Sequence, residues 1–567
     1  MSNLNQSYVH GASDTPLIGD TIGVHLDRMA ALSPDRPALV VRHQNIRWTY
    51  AEFREKVDAL AAGFLALGLR PGERVGIWSQ NNVEWLLTQF ATAKAGLILV
   101  NINPAYRLHE LEHAINKAGT AALILATSYK SNDYISMMRT LAPEVDRSKP
   151  GHLDLHKLPT LRILIRLGTE NTPGMLNFDE IPGLATPDNV AEIERLASEL
   201  QFDDPVNIQF TSGTTGNPKG ATLTHHNILN NGFFVGEAMR LTEQDRLCIP
   251  VPFYHCFGMV LGNLACVTHR ACMVIPGEGF DPLAVLNAVQ EERCTALHGV
   301  PTMFIAILGY PDFQRFDLTS LRTGIMAGSP CPIEVMKRVV SEMHQREITI
   351  AYGMTETSPV SFQSSVETPL EQRVSTVGRI QPHLEVKIVD SDGRIVPRGT
   401  PGELLTRGYS VMRGYWSDEE RSCEAIDAAR WMHTGDLATM DDEGYVKIVG
   451  RSKDMIIRGG ENLYPREVEE FLYGHPDVAD VQVVGVPDQR YGEELMAWIV
   501  PRGGASIDRD AIAGYCDGKI ARHKVPRYVA TVDEFPMTVT GKVQKYKLRE
   551  MAIEQLGLED AAAIETA

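Results

Sequence analysis

Apolar runs alternate along the chain with stretches whose apolar positions recur every three or four residues. In WTYAEF, Thr49 and Glu52 have the spacing of a capping box, and Phe53, Val57, Leu60 and Phe64 then mark one helical face. A strand RVGIW (74–78) follows, then a helix over VEWLLTQFATAKA closed by Gly96, then a strand LILVNI (97–102). The same alternation recurs at AALILAT, at RTGIMAG followed by PIEVMKRVVSEM, and at EITIAYG. It predicts an α/β fold of parallel, helix-covered sheets, with ligand sites at the carboxyl ends of strands that feed glycine-rich turns.

The pattern changes near residue 450. GRSKDMIIRGGENLYPREVEEFL is dense in glycine and charge and opens a helix. A compact β/α series follows: DVQVVGVPD, ELMAWIV, a helix near 508–522, RYVATVDEF and a last helix from Gly541 to about Glu550. The expected organisation is a large N-terminal domain over 1–449 and a small α+β domain ending at 550. A flexible tail, 551–567, then includes LEDAAAIETA.

Composition narrows the class. A chain of 567 residues, 44% hydrophobic and 22% charged, fits a soluble, globular protein of more than one domain. Its net charge of −18 argues against a chain-wide nucleic-acid footprint, which would need a basic stripe. Eight cysteines contain no CxxC pair, so neither a zinc knuckle nor a thioredoxin-type motif is present, and scattered thiols suit a reducing compartment. The N-terminal stretch has no charged n-region or apolar h-region, and its first arginine is Arg28. No apolar run reaches the roughly 18–20 residues of a transmembrane segment. LLTQFATAKAGLILV is interrupted by Gln89 and Lys94. The expected location is cytoplasmic.

HELEH (109–113) matches the HExxH zinc-protease pattern. However, Leu108, Leu111 and Ile115 form the apolar stripe, which leaves His109, Glu110, Glu112 and His113 on or near the polar face. No third ligand stands nearby, and a solvated amphipathic helix accounts for the segment.

TSGTTGNPKG (211–220) carries stronger chemistry. It is no Walker A loop, because Pro218 stands where the second glycine belongs and Gly220 follows Lys219. Its backbone N–H groups, hydroxyls and one ammonium nevertheless suit a triphosphate. A polar surface loop is the plain alternative. AYGMTE (351–356) offers Tyr352 to stack on a purine and Glu356 as a hard oxygen ligand for Mg2+. HTGDL offers Asp436 to a ribose, GRSKD offers Arg451, and TVTGKVQK offers Lys542.

Taken in order, TSGTTGNPKG, YHCFG, AYGMTE, TGD, GRSKDMIIRGGENLYP and TGKVQK resemble the core motifs of the adenylate-forming superfamily. That superfamily contains acyl- and aryl-CoA synthetases, firefly luciferase and peptide-synthetase adenylation domains. The likeness spans about residues 20 to 550. GRSKDMIIRGGENLYPREVE and NPAYRLHELEHAI look most like medium-chain acyl-CoA synthetases, in the branch of the animal mitochondrial enzymes.

The resemblance implies an AMP-forming acid–thiol ligase. A carboxylate takes AMP from ATP, pyrophosphate leaves, and the acyl-adenylate then acylates coenzyme A. Thr211, Ser212, Gly213, Thr214, Thr215, Gly216, Asn217, Pro218 and Lys219 would cradle the phosphates, and Thr214 and Glu356 would hold Mg2+. Tyr352 and Gly328 would flank the adenine, Thr355 would join the ATP-binding set, and Asp436 and Arg451 would contact the ribose. Lys542 would neutralise charge at the α-phosphate, and His255 would stand beside the carboxylate. Phe253, Met259, Val300, Ala327 and Met354 would join His255 in the acyl pocket. The resemblance further implies a hinge over 450–454, centred on Lys453, that makes the small domain mobile. Gly459, Gly460, Glu461 and Asn462 would then form the CoA path, where a Cβ would obstruct the pantetheine arm.

Expected partners are thus a carboxylic acid, ATP and CoA, with no nucleic acid; peripheral membrane contact and a homodimer stay open. Rival readings are transfer of the acyl group to a carrier protein or to oxygen, and a short, branched or aryl acid. A zinc hydrolase through HELEH and a non-catalytic nucleotide-binding scaffold complete the set.

Overall fold

The computed structural model describes residues 5–211, 218–329, 331–451, 453–458, 461–488, 490–538 and 542–558. Its first sheet has eight strands, in the order Leu176–Asn177, Ile163–Arg166, Thr120–Leu125, Arg74–Trp78, Ile98–Asn101, Pro205–Thr211, Lys219–Thr224 and Gly414–Tyr415. The first six are parallel, and each of the last two pairs antiparallel with the strand before it. A second sheet of nine strands has a parallel centre of six, from Glu347–Gly353 through Thr323–Ala327, Ala296–Gly299, Arg246–Cys248 and Cys272–Ile275 to Pro37–Val41. The expected βα units build these two sheets.

Local chemistry agrees with the pattern. Thr49 and Glu52 form the capping box of helix Tyr50–Ala66, whose Phe53, Val57, Leu60 and Phe64 are all buried. From its first residue, the Tyr50 hydroxyl donates to the carbonyls of Cys266 (3.2 Å) and Ala271 (2.8 Å), tying the helix to the second sheet. Between the sheets lies one continuous apolar core. One wall of it, Phe257–Leu264, is wound with the wide π pitch and is buried throughout.

A third sheet departs from the parallel, helix-covered expectation. Tyr8–His10, Leu384–Val389, Gly402–Gly408, Met432–Met440 and Val446–Arg451 form five antiparallel strands. Their burial alternates, as in the run Leu384–Val389, so no long apolar run marks them.

The chain leaves this sheet at Arg451 and enters the hairpin Ile456–Arg458/Glu461–Leu463. The smaller unit is built on the long antiparallel pair Val478–Asp488 and Gly492–Pro501, with Tyr528–Thr531 added in parallel. The helix expected near 508–522 is confined to Arg509–Cys516, followed by a short turn at Arg522–Lys524. The last helix runs Lys545–Leu556, into the stretch expected to be a flexible tail (551–567). Ala552 is buried beside Leu548, whose carbonyl accepts the Trp498 indole N–H at 3.1 Å, and Gly557 ends the helix at φ +63°. Residues 559–567 lie outside the described residues.

Under the second sheet, Glu292 is 7% exposed and accepts both Arg47 nitrogens (2.6 and 2.7 Å) and Arg246 Nη2 (3.1 Å). The Arg47 hydrogen bonds hold its carboxyl below the ordinary 4.5. A depressed carboxylate stabilises the fold above its unfolded pKa and loses that contribution as pH falls through the folded value. We expect Glu292→Gln to lower stability at neutral pH by about 1–3 kcal/mol, because Arg42, Arg47 and Arg246 all lose a shared carboxylate and only the exposed Arg47 regains full hydration. The deficit should shrink below about pH 4, as wild type protonates. Urea unfolding at neutral and acidic pH measures both, and an equal deficit at both would contradict the assignment.

Candidate active site

Four segments converge at the carboxyl ends of the two large sheets. Thr211 ends its strand in register with Lys219, so the loop between them begins and ends at one point. Residues Ser212, Gly213, Thr214, Thr215, Gly216 and Asn217 lie outside the described residues. The rims are described. Thr211 Oγ1 donates to Glu356 Oε1 at 3.4 Å, and the Lys219 ammonium stands 5.0 Å from the centre of the Tyr415 ring. The Tyr415 hydroxyl donates to the same Glu356 Oε1 at 2.9 Å. Glu356 sits in the turn Thr355–Thr357, just past the strand Glu347–Gly353, and is 6% exposed. Gly353 permits that turn: a Cβ there would fall 1.7 Å from the Pro359 carbonyl oxygen.

Glu356 has the chemistry of a cation site. Both hydroxyls fall on Oε1, and among the described residues no lysine, arginine or histidine forms an ion pair with it. A buried carboxylate without a protein counter-ion favours a bound cation. Among the described residues no three His, Cys, Asp or Glu side chains gather as a metal cage. One carboxylate with ligand oxygens completing the shell is the pattern expected of Mg2+.

Asp436 is also 6% exposed, but it is already matched. Tyr352 donates its hydroxyl to Oδ2, Arg451 donates Nε to Oδ1 at 2.9 Å, and the two residues Asp436 and Arg451 face each other across adjacent strands. Asp436 first, against the loss of hydration, raises the Arg451 pKa. Burial, then the Asp436 carboxylate, pushes the Tyr352 phenol well above its ordinary range. Gly328 holds φ +91°, and a Cβ there would stand 3.0 Å from Val300.

Lys542 enters from the smaller unit, on a hairpin closed by its own N–H to Thr538 Oγ1 (3.0 Å) and by Thr538 N–H to its carbonyl (2.7 Å). Water reaches its side chain, yet protein crowds the cleft. That partial loss of hydration, then Arg451, holds its pKa below the ordinary lysine value, while Glu356 and Asp436 oppose the shift. His255 senses the same ammonium. Burial first, then Lys542, pushes its pKa down to about 3, so the ring is neutral near pH 7. Phe257 N–H donates to Nδ1 at 3.2 Å, which places the ring proton on Nε2.

The expected acyl-pocket residues divide. Phe253, Met259, Val300 and Ala327 are buried, whereas His255 and Met354 are half-buried. Phe253 packs on Trp85, with ring centroids 5.6 Å apart, and belongs to the main core. Met259 receives the amides of Asn101 (3.6 Å) and Gln209 (3.8 Å) on its sulfur. Val300 borders a cavity of about 500 Å³ that also touches Met303, Phe280 and Thr538. Lys453 lies in the turn between Arg451 and Ile456. Gly459 and Gly460 lie outside the described residues, and Glu461 and Asn462 form the backbone of a short strand.

Sequence reasoning missed Tyr415 and Cys256. Tyr415 is 59 residues from Glu356 and has no local motif. The Cys256 thiol donates to Gln209 Oε1 at 3.1 Å beneath the site, although YHCFG drew attention only to His255. HELEH forms the helix Leu108–Ala118, with Leu111, Ala114, Ile115 and Ala118 buried, as its stripe predicts. Glu110 caps that helix, and His113 Nε2 lies 3.3 Å from the Pro218 carbonyl, at the rim of the phosphate-type loop.

Comparison with known proteins agrees with this geometry. Residues 26–416 match the family model of the AMP-binding enzymes, and residues 467–542 match that of the AMP-binding enzyme C-terminal domain. YngI of Bacillus subtilis is 52% identical over 546 residues, 96% of this chain and 99% of that protein. The mitochondrial medium-chain acyl-CoA ligase ACSF2 of Danio rerio is 47% identical over 560 residues, 98% of this chain and 92% of that one. The crystal structure of the anthranilate CoA ligase AuaEII with anthranoyl-AMP superposes with a TM-score of 0.85 at 26% identity, covering 96% of this chain and 99% of that one. The chain belongs to the AMP-binding enzyme family.

Proposed function

We propose that this chain is an AMP-forming acyl-CoA synthetase acting on a fatty acid of medium chain length. The reading rests on two buried carboxylates, Glu356 and Asp436, set at the sheet ends with the Arg451 guanidinium bonded to the second, and on the Lys542 hairpin of the smaller unit, near enough for these charges to act on its ammonium. It is supported by the acyl-CoA ligase named among the relatives and by the apolar lining at Val300, Met303 and Phe280.

The chemistry follows from the charges. A free carboxylate repels a thiolate and has no leaving group, so AMP is first placed on it. In our assignment Thr211, Pro218 and Lys219 flank the loop that takes the β- and γ-phosphates, and Tyr352 and Gly328 flank the adenine. Asp436 accepts the ribose hydroxyls, held in place by Arg451. His255, neutral and protonated on Nε2, donates to the acid's carboxylate without neutralising it. Lys542 meets the charge that grows on the α-phosphate oxygens, where a preorganised cation is worth most. Mg2+ bound at Glu356 would supply charge neutralisation of the phosphates. Transfer to the thiol then needs Lys542 withdrawn and the face carrying Gly459 to Asn462 brought in, with Lys453 as the hinge.

Lys542→Ala should slow acid-dependent ATP–pyrophosphate exchange by about a hundred-fold or more, while thioester formation from supplied acyl-adenylate stays near wild type. Equal loss in both half-reactions would remove the role given to this lysine.

Removing divalent cations with a chelator should stop exchange, and Mg2+ should restore it. Glu356→Gln should raise the Mg2+ concentration needed for half-maximal rate by about ten-fold or more. An unchanged requirement would place the cation elsewhere.

A panel of acids from acetate to palmitate, followed by CoA-dependent pyrophosphate release, should peak at intermediate length. A peak at acetate or at benzoate would overturn the chain-length reading.

A further inference from the structure

HELEH is left without a metal role, since no cage of ligands forms around it among the described residues. Its helix, Leu108–Ala118, buries Leu111, Ala114, Ile115 and Ala118 and presents His113 and, one turn later, Lys117 on the adjoining face. His113 is half-buried, and its ring lies edge-on to that of Phe210, with centroids 6.5 Å apart. Its Nε2 stands 3.3 Å from the Pro218 carbonyl oxygen. A carbonyl oxygen only accepts, so Nε2 carries the proton and donates it. The ring thus bears on both strands at the neck of the loop: on Phe210 beside Thr211, and on Pro218 beside Lys219. Pro218 brings no N–H of its own, and its carbonyl is the handle that the helix takes.

Lys117 extends the contact to the next strand. Its ammonium donates to the Ser417 carbonyl at 3.0 Å and stands 3.7 Å from Asp418 Oδ2. Trp416, between Tyr415 and Ser417, donates its N–H to the Gly220 carbonyl at 2.7 Å. Strands Lys219–Thr224 and Gly414–Tyr415 are themselves paired, Ala221 with Tyr415. One helix face therefore holds the two main-chain segments that carry Lys219 and Tyr415. Those side chains meet, 5.0 Å from ammonium to ring centre, and the Tyr415 hydroxyl reaches Glu356.

We propose that His113 is a positioning residue for adenylation: its N–H fixes the Pro218 carbonyl and so sets where the Lys219 ammonium meets the departing phosphates. The inference rests on the acyl-CoA synthetase reading and deepens it, because it assigns this brace to one half-reaction. The phosphates that Lys219 would hold leave as pyrophosphate, so the later transfer to the thiol does not draw on it.

The test compares His113→Leu, which keeps bulk and removes the donor, with His113→Gln, whose amide N–H reaches where Nε2 stands. Both change a half-buried helix position in the full-length chain, so the melting temperature should hold. In acid-dependent ATP–pyrophosphate exchange, His113→Leu should raise KM for ATP and for pyrophosphate about three- to ten-fold. KM for the acid should stay near wild type, and His113→Gln should recover most of the loss. His113→Ala, which removes the donor without adding apolar bulk, should behave as His113→Leu does. Thioester formation from supplied acyl-adenylate and CoA should run at the wild-type rate in all three. An unchanged KM for ATP overturns the proposal, as does His113→Gln performing no better than His113→Leu. Equal losses in both half-reactions also overturn it, since they would mark His113 as general packing. Wild type without acid-dependent exchange would sink the acyl-CoA synthetase reading instead. The brace is then judged by the binding of ATP alone. Binding weakened in His113→Leu and restored in His113→Gln upholds it, and equal binding by all forms, or none by wild type, ends it.

Discussion

The site depends on a buried negative charge that the protein itself has to match. Asp436 is matched from two directions, by Tyr352 on the nine-stranded sheet and by Arg451 on the five-stranded one. An unpaired carboxylate at that depth would cost several kcal/mol, so the two sheets cannot shift relative to each other without breaking the pair. Arg451 is also the last residue of its strand before the chain turns into the smaller unit. One ion pair therefore fixes that wall of the cleft and the root of the connection at once.

The second carboxylate is treated differently. Glu356 receives hydroxyls from Thr211 and Tyr415 but has no ion-pair partner among the described residues. The protein thus pairs one acid with a guanidinium and gives the other hydroxyl partners only, among the described residues. Lys542 completes the arrangement from the far side. Its ammonium is less well hydrated than one in open water, and Arg451 disfavours it further. An anion entering the cleft would offset the Arg451 repulsion, so the Lys542 charge is better tolerated when one is present.

Much of this was legible in the chain because the chemistry lies in contiguous motifs at strand ends. Thr211, Tyr352 and Glu356 stand at or just past strand ends, where side chains project beyond the sheet, and Asp436, Arg451 and Lys542 stand in short, recognisable polar motifs. The capping box at Thr49 and the stripe of Leu111 and Ile115 were equally local signals. What was missed is non-local. The five-stranded sheet pairs Tyr8 with Lys387 and Gly402 with Ala438, pairings that no window of sequence contains. Tyr415 reaches Glu356 only because two antiparallel strands extend the first sheet. The end of the last helix was placed too early, since its continuation depends on Ala552 meeting a strand pair far upstream.

The wide-pitched helix Phe257–Leu264 has an evolutionary consequence. It runs directly into Ala265–His269, where the Cys266 carbonyl receives the Tyr50 hydroxyl. A wide turn holds more residues than the common pitch needs, so losing a single one there would restore that pitch and leave the flanking turns, with the Cys266 carbonyl, near their present places. The wall beside His255 can therefore change by side chain or by one residue of length.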